Sequence, residues 1–243
     1  MIEQLAAFFE SLGLPKAMEQ VSFLLDPKTI PFAIWETLYA PFLAAIFAYV
    51  IGLPLGILLV SGEEKGIHPL PRGLMRTVNV IINLLRSVPF LILMVMAFPL
   101  SRLILGTGIG TTATIVPLTI AAFPYVARLV ETSLREVDRG VIEAAQSMGC
   151  STWQIVFKVL LPECRPSLIN GATNAAITIL GYGAMAGAIG GGGLGMLSLQ
   201  YGYTRNQLLV MYVAVILLVI LVQIIQSIGT ALCIKSDKRI THK

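Results

Sequence analysis

Charge is what this chain has least of. Lys, Arg, Asp and Glu together make up 12% of its 243 residues, where an average soluble domain carries about a quarter. A deficit of that size excludes an ordinary water-soluble globule. Cysteine is equally scarce, with three in all. Cys150 and Cys164 fall in one interspan loop and Cys233 near the end of the last apolar run, so an odd count on a reducing face implies free thiols and no disulfide framework. The two histidines, His68 and His242, lie in polar stretches without zinc-ligand spacing, so no metal site is expected. The Lys-Thr and Lys-Ser pairs, Lys28-Thr29 and Lys235-Ser236, have no glycine before them, which excludes a Walker A loop and ATP hydrolysis by that route. The basic residues form no stripe with interleaved aromatics, so the net charge of +4 is not a nucleic-acid footprint.

What is present instead is apolar. Hydrophobic residues make up 56% of the chain and the mean hydropathy is +0.83. They gather into five runs, at about 33–60, 74–100, 112–134, 166–189 and 208–234. Each is long enough to cross a bilayer, which takes roughly 20 helical residues. The fold class is therefore all-α, a polytopic membrane protein with five transmembrane helices. Residues 1–32 form an N-terminal extension, 33–234 the membrane domain and 235–243 a basic tail. Ile2–Leu12 reads as a short amphipathic helix at the membrane interface; Met1–Phe9 carries Glu3 and lacks the order of a cleaved signal peptide.

The basic residues between the runs give the orientation. Lys65, Arg72, Arg76, Arg135, Arg139, Lys158, Arg165, Lys235, Lys238, Arg239 and Lys243 fall on one side; Lys16, Lys28, Arg102 and Arg205 fall on the other. The richer side is cytoplasmic by the positive-inside rule, which puts the N-terminus outside and the C-terminus inside. Prolines 54, 89, 117 and 124 lie within the runs, where a membrane tolerates them only if neighbouring helices or water satisfy the freed carbonyls.

The connection between the third and fourth runs has unusual local order. Asp138 is placed to cap a helix from Arg139, and Gly149 to end it in a left-handed turn. Ser151 and Gln154 make a capping box for a second short helix, which Pro162 is expected to stop, while Pro166 opens the fourth span. Within this stretch Glu143-Ala144-Ala145, Gly149 and Val159-Leu160-Leu161-Pro162 resemble the EAA motif of ABC-importer permeases, with Val159 where the family usually has Ile. The resemblance implies that 138–162 is a cytoplasmic coupling segment seated in a groove of a separate ATPase, with Glu143, Ala144, Ala145, Gly149, Leu161 and Pro162 as its coupling residues. Small side chains at Ala144 and Ala145 would keep one face slim, and Glu143 would accept from an arginine or a backbone donor of that ATPase.

Leu85-Arg86-Ser87-Val88-Pro89-Phe90, Ile115-Val116-Pro117-Leu118, Arg128-Leu129-Val130-Glu131 and Gly181-Tyr182-Gly183-Ala184-Met185 extend the resemblance to the methionine-importer permease family of type I ABC importers. Two departures are the N-terminal extension and Gly183, where a small hydroxyl residue is expected. The resemblance implies a non-catalytic inner-membrane subunit without a cofactor. It implies as partners two ATPase copies, a second permease copy, an extracytoplasmic substrate-binding protein and membrane lipid. It also implies a cargo of D- or L-methionine, with other amino acids or short peptides as alternatives. Tyr182 and Met185 on the fourth span are candidates for the pathway or gate, since a thioether makes an adaptable plug. A self-powered secondary transporter would place ionisable groups near mid-membrane; Glu36, Arg86, Arg128 and Glu131 read as lying toward span ends. The Gly190–Gly195 run satisfies G-x-G-x-x-G, but an apolar helix precedes it where a dinucleotide site needs a strand. It reads as a flexible extracytoplasmic turn, and Gly183 with Gly187 as a close-packing pair.

Overall fold

The structure, a computed structural model, describes residues 17–64 and 66–237. The helix expected at Ile2–Leu12, together with Lys16, Lys65, Lys238, Arg239, His242 and Lys243, lies outside the described residues. All regular structure among those described is helical: α1 (Ala17–Leu25), α2 (Thr29–Ser61), α3 (Arg72–Ser87), α4 (Phe90–Leu105), α5 (Ile115–Arg135), α6 (Arg139–Ser147), α7 (152–163), α8 (Arg165–Ala186), α9 (193–204) and α10 (Leu208–Ser236). In α7 the stretch Ile155–Leu160 winds as a π-helix, and so does Leu197–Thr204 in α9.

Four helices are long and apolar enough to cross a membrane: α2, α5 with the 3₁₀ turn before it, α8 with the 3₁₀ turn after it, and α10. The fifth candidate is the pair α3 and α4, bent by 108° at the break between them. The run at 74–100 is thus not one straight span. Val88, at φ −77° and ψ 127°, is extended, because the ring of Pro89 disfavours helical backbone in the residue before it. Arg86 lies in the last turn of α3, beside this break.

The described residues divide into two compact units. One combines the described part of 1–44 with Phe90–Leu118 and Thr178–Ile224; the other combines Ala45–Pro89, Thr119–Ile177 and the chain from Ile225 onward. Lipid tails are as apolar as leucine, so helices in a membrane associate through close packing of small residues more than through burial as such. In the second unit Gly52 and Gly56 of α2 lie against α5. A Cβ on Gly56 would stand 2.6 Å from Val130 Cβ, and one on Gly52 would stand 2.8 Å from Val126 Cγ1. Gly229 of α10 meets Thr173 of α8 in the same way, at 2.0 Å from its Oγ1.

In the first unit the buried cluster is Ala33, Leu194, Leu197, Val210 and Ala214, with Phe23, Leu24 and Tyr201 packed on it. Helix α1 is part of this packing. The Gln20 side chain, 1% exposed, accepts from the Leu209 backbone N–H at 2.9 Å and so satisfies one of the orphan donors at the start of α10. Phe23 stacks on Tyr201, and the Arg205 guanidinium sits 4.3 Å over the other ring's centroid.

The glycine-rich turn after α8 is not loose. Glu36 of α2 accepts from the Gly193 N–H at 2.8 Å and from the Thr111 hydroxyl at 2.6 Å, and Thr37 accepts from the Leu194 N–H at 2.8 Å. Gly110 N–H donates to the Gly190 carbonyl at 2.9 Å. Gly193 sits at φ +77°, and a side chain on Gly192 would overlap Glu36 and Thr111. Glu36 and Thr111 occupy the space a Cβ would fill at 192 and Thr37 that at 193, while the Ala186 carbonyl crowds 191 and Gly190 sits at φ +103°. Gly183 does allow the close approach expected of it, with Pro41 Cγ 2.8 Å from where its Cβ would be; Gly187 instead packs on the backbone of Gly195 and Met196.

Candidate functional site

The α6–α7 connection lies in the second unit. Asp138 caps α6 by accepting from the Gly140 N–H at 2.6 Å. Gly149 ends it at φ +78°, a left-handed conformation that costs a residue with a Cβ about 1–2 kcal/mol. Ser151 and Gln154 form the reciprocal capping box at the start of α7, with the Ser151 N–H donating to Gln154 Oε1 at 2.8 Å. The sequence reading of these caps matches the structure.

Pro162 does not stop the second helix. Helix α7 runs through it, and the chain bends only at Cys164, with φ −89° and ψ 12°. The π-helical turn immediately before Pro162 explains this: its wider winding displaces the i→i−4 ladder at the place where the missing N–H and the ring would otherwise clash.

The coupling residues occupy different faces. Glu143 is exposed, and among the described residues its carboxylate has no hydrogen-bond or ion-pair partner. Ala144 is also exposed, whereas Ala145 is buried. The two alanines therefore do not form one slim face: Ala145 points into the fold and Ala144 outward, as consecutive positions about 100° apart must. Leu161 is half-buried and Pro162 exposed.

Sequence reasoning missed the exposed apolar residues of α6 and α7. Val141, Met148, Trp153 and Phe157 are all exposed, Trp153 by 71%. Trp153 and Phe157, one helical turn apart, stack with centroids 5.8 Å apart. Large apolar side chains on short capped helices outside the spanning runs were the available signal, since such a patch marks an interaction surface. Beside it opens a cleft of about 810 Å³ lined by charges of both signs, among them Glu136, Asp138, Lys158, Glu163 and Arg165. Cys164, 4% exposed, also lines it; burial pushes its thiol up to about 11, with Glu136 and Glu163 adding to the effect.

The pathway candidates lie in the first unit, away in sequence from the coupling residues. Tyr182 is half-buried and stacks face to face on Phe90, centroids 4.3 Å apart and 7° from parallel. Met185 is 49% exposed.

Residues 52–232 match the family described as binding-protein-dependent transport system inner membrane component. The chain belongs to that family. It is thus a multi-pass inner-membrane transport component without catalytic chemistry of its own. A probable D-methionine transport system permease protein MetI of Vibrio cholerae serotype O1 is 48% identical over 218 residues, which cover 89% of this chain and 96% of that one. The D-methionine transport system permease protein MetI of Escherichia coli K12 is 50% identical over 154 residues, 63% of this chain and 70% of the relative. Among solved structures, an inward-facing conformation of the MetNI methionine ABC transporter superposes with a TM-score of 0.82 at 48% identity, covering 84% of this family member and 94% of the solved chain. An amino acid ABC transporter crystallised with histidines shares the fold at a TM-score of 0.69 and 18% identity.

Proposed function

We propose that this permease forms one half of the membrane pathway of an ATP-driven methionine importer. Two copies enclose the pathway, two ATPase subunits bind at the α6–α7 segments, and an extracytoplasmic binding protein delivers D- or L-methionine. The observation that carries the reading is the pair of capped helices, with Glu143 and Met148 exposed on the first and Trp153 and Phe157 exposed on the second. An apolar patch of this kind with a free carboxylate suits a rigid handle pressed into a partner's groove. The likeness to relatives named for D-methionine supports the choice of cargo.

The orientation follows the basic residues, with α6 and α7 in the cytoplasm, the C-terminus inside and the N-terminus outside. The spanning domain is 33–234. Leu161 and Pro162 close the handle against α8, and Tyr182 and Met185 line the pathway toward its outer side.

The test is uptake of methionine by liposomes holding the permease, its ATPase and its binding protein. Replacing Glu143 by Ala together with Gly149 by Pro should abolish co-purification of the ATPase or ATP-driven uptake. Unchanged uptake in that double variant defeats the assignment of the handle.

A further inference from the structure

Helix α3 differs from the other helices of the membrane domain in carrying a polar stripe. At 100° per residue, Arg72, Arg76, Asn79, Asn83, Arg86 and Ser87 fall within an arc of roughly 100°. The neighbouring arc holds Met75 and Ile82, buried against Leu59 and Ala127. The far side is apolar and exposed, with Leu74, Ile81 and Leu84.

The stripe runs inward along α5. Near the α2–α3 loop, Arg135 of α5 pairs with Glu63 and Glu131. Seven residues earlier in α5, about 10 Å along its axis, Arg128 donates to Asn79 Oδ1 at 2.8 Å, to Asn83 Oδ1 at 2.9 Å and to Glu131 at 2.6 Å. Met75 of α3 stands against Gly62, next to Glu63 at the end of α2, and Asn79 and Asn83, one and two turns on, both reach Arg128, so α3 runs from the level of Arg135 toward that of Arg128. Arg86 stands a further turn inward, beside the bend at Pro89, exposed and without a hydrogen-bond or ion-pair partner among the described residues.

An unpaired guanidinium so placed is too costly to face lipid; in membrane proteins such groups face the bundle interior or a water-filled cavity. Methionine crosses as a zwitterion, and its carboxylate needs donors in place of water. We propose that the α3 stripe, with Arg128, is the polar wall of the translocation pathway, and that Arg86 receives the carboxylate of the passing amino acid. This rests on the permease reading above. Arg128 is already committed to two asparagines and a carboxylate and Arg72 pairs with Glu64, which leaves Arg76 and Arg86 without partners among the described residues; Arg86, the one beside the bend, stands deeper and is the cation placed to exchange partners during passage.

The experiment uses the complete transporter in liposomes, with Cys150, Cys164 and Cys233 replaced by serine and uptake retained. If the unsubstituted complex shows no ATP-driven methionine uptake, the permease reading itself fails, separately from this proposal. Ser87→Cys reports on the stripe and Leu84→Cys on the opposite face. Two membrane-impermeant methanethiosulfonates are compared, one bearing a sulfonate and one a trimethylammonium. At Ser87→Cys the sulfonate should outrun the ammonium by about tenfold, as a cationic cleft concentrates anions, and Leu84→Cys should stay inert. Adding Arg86→Gln should remove that preference, and vanadate trapping of the ATPase should change the Ser87→Cys rate. Arg86→Gln should also cut uptake several-fold, with Arg86→Lys retaining most of it. Three outcomes overturn the proposal: Ser87→Cys as inert as Leu84→Cys, a sulfonate preference that survives Arg86→Gln, or equal rates in nucleotide-free and trapped states, which is the behaviour of a helix on the membrane surface.

Discussion

Glu36 illustrates how much a single carboxylate can hold in an apolar protein. It satisfies one buried backbone N–H and one hydroxyl and fills the space that requires glycine at 192. Glu36→Ala leaves the Gly193 N–H and the Thr111 hydroxyl without an acceptor, which should lower stability by about 2–3 kcal/mol. Glu36→Gln keeps a carbonyl oxygen there and should cost less than half as much. Thermal unfolding of the detergent-solubilised protein separates the two, and equal losses would show that the charge and not the hydrogen bonds matters. Cys164 gives a second test at this scale. Because burial raises its thiol to about 11, the folded protein holds that proton while an unfolded chain has already released it. Its contribution to stability therefore falls as pH rises from the ordinary thiol range toward 11. Alkylation at pH 8 should accordingly modify Cys150 well before Cys164, read by mass spectrometry of the labelled peptides; equal rates would refute the shift.

At the level of elements, the handle depends on two local devices that act at its ends. Ser151→Ala removes the capping box and should cost about 1 kcal/mol. Gly149→Val places a β-branched side chain at φ +78° and should cost about 2 kcal/mol or more. Neither residue need touch the ATPase, so both changes should weaken its co-purification only by blurring the angle between α6 and α7. Trp153→Ala tests the exposed surface directly, since it leaves the caps intact. Its expected signature is unchanged thermal stability with co-purified ATPase reduced at least several-fold, because interface aromatics carry a large share of binding energy. Unaltered co-purification would remove Trp153 from the interface.

For the whole molecule, the charge pattern predicts sidedness. A label on the C-terminal tail should be reached from the cytoplasmic side only, and one introduced near Arg205 from the outer side only, as measured in intact cells against inverted vesicles. Labels accessible from the same side would overturn both the orientation and the cytoplasmic placement of α6 and α7. Family membership constrains the architecture and does not name a cargo; under the proposal above that choice falls to chemistry along the pathway and to the proposed binding protein. The polar stripe of α3 is where this chain has the means to contribute to that choice.

The sequence by itself determined the apolar runs, the caps of the α6–α7 segment and the resemblance that names its family. Each of these is written in neighbouring residues: run length, Asp138 before its helix, Ser151 three residues before Gln154, and the EAA spacing. Tertiary structure decided what depends on distant residues meeting. Glu36 read as a charge near a span end, and only the turn 157 residues later shows that it anchors the glycines. Pro162 read as a stop, because its neighbourhood gave no sign that α7 would widen into a π-helix before it. The bend at Pro89 was signalled by proline, yet its size of 108° was not. Arg86 and Arg128 looked alike as isolated charges in sequence. They differ only because α5 brings Arg128 within reach of Asn79 and Asn83 and brings nothing to Arg86.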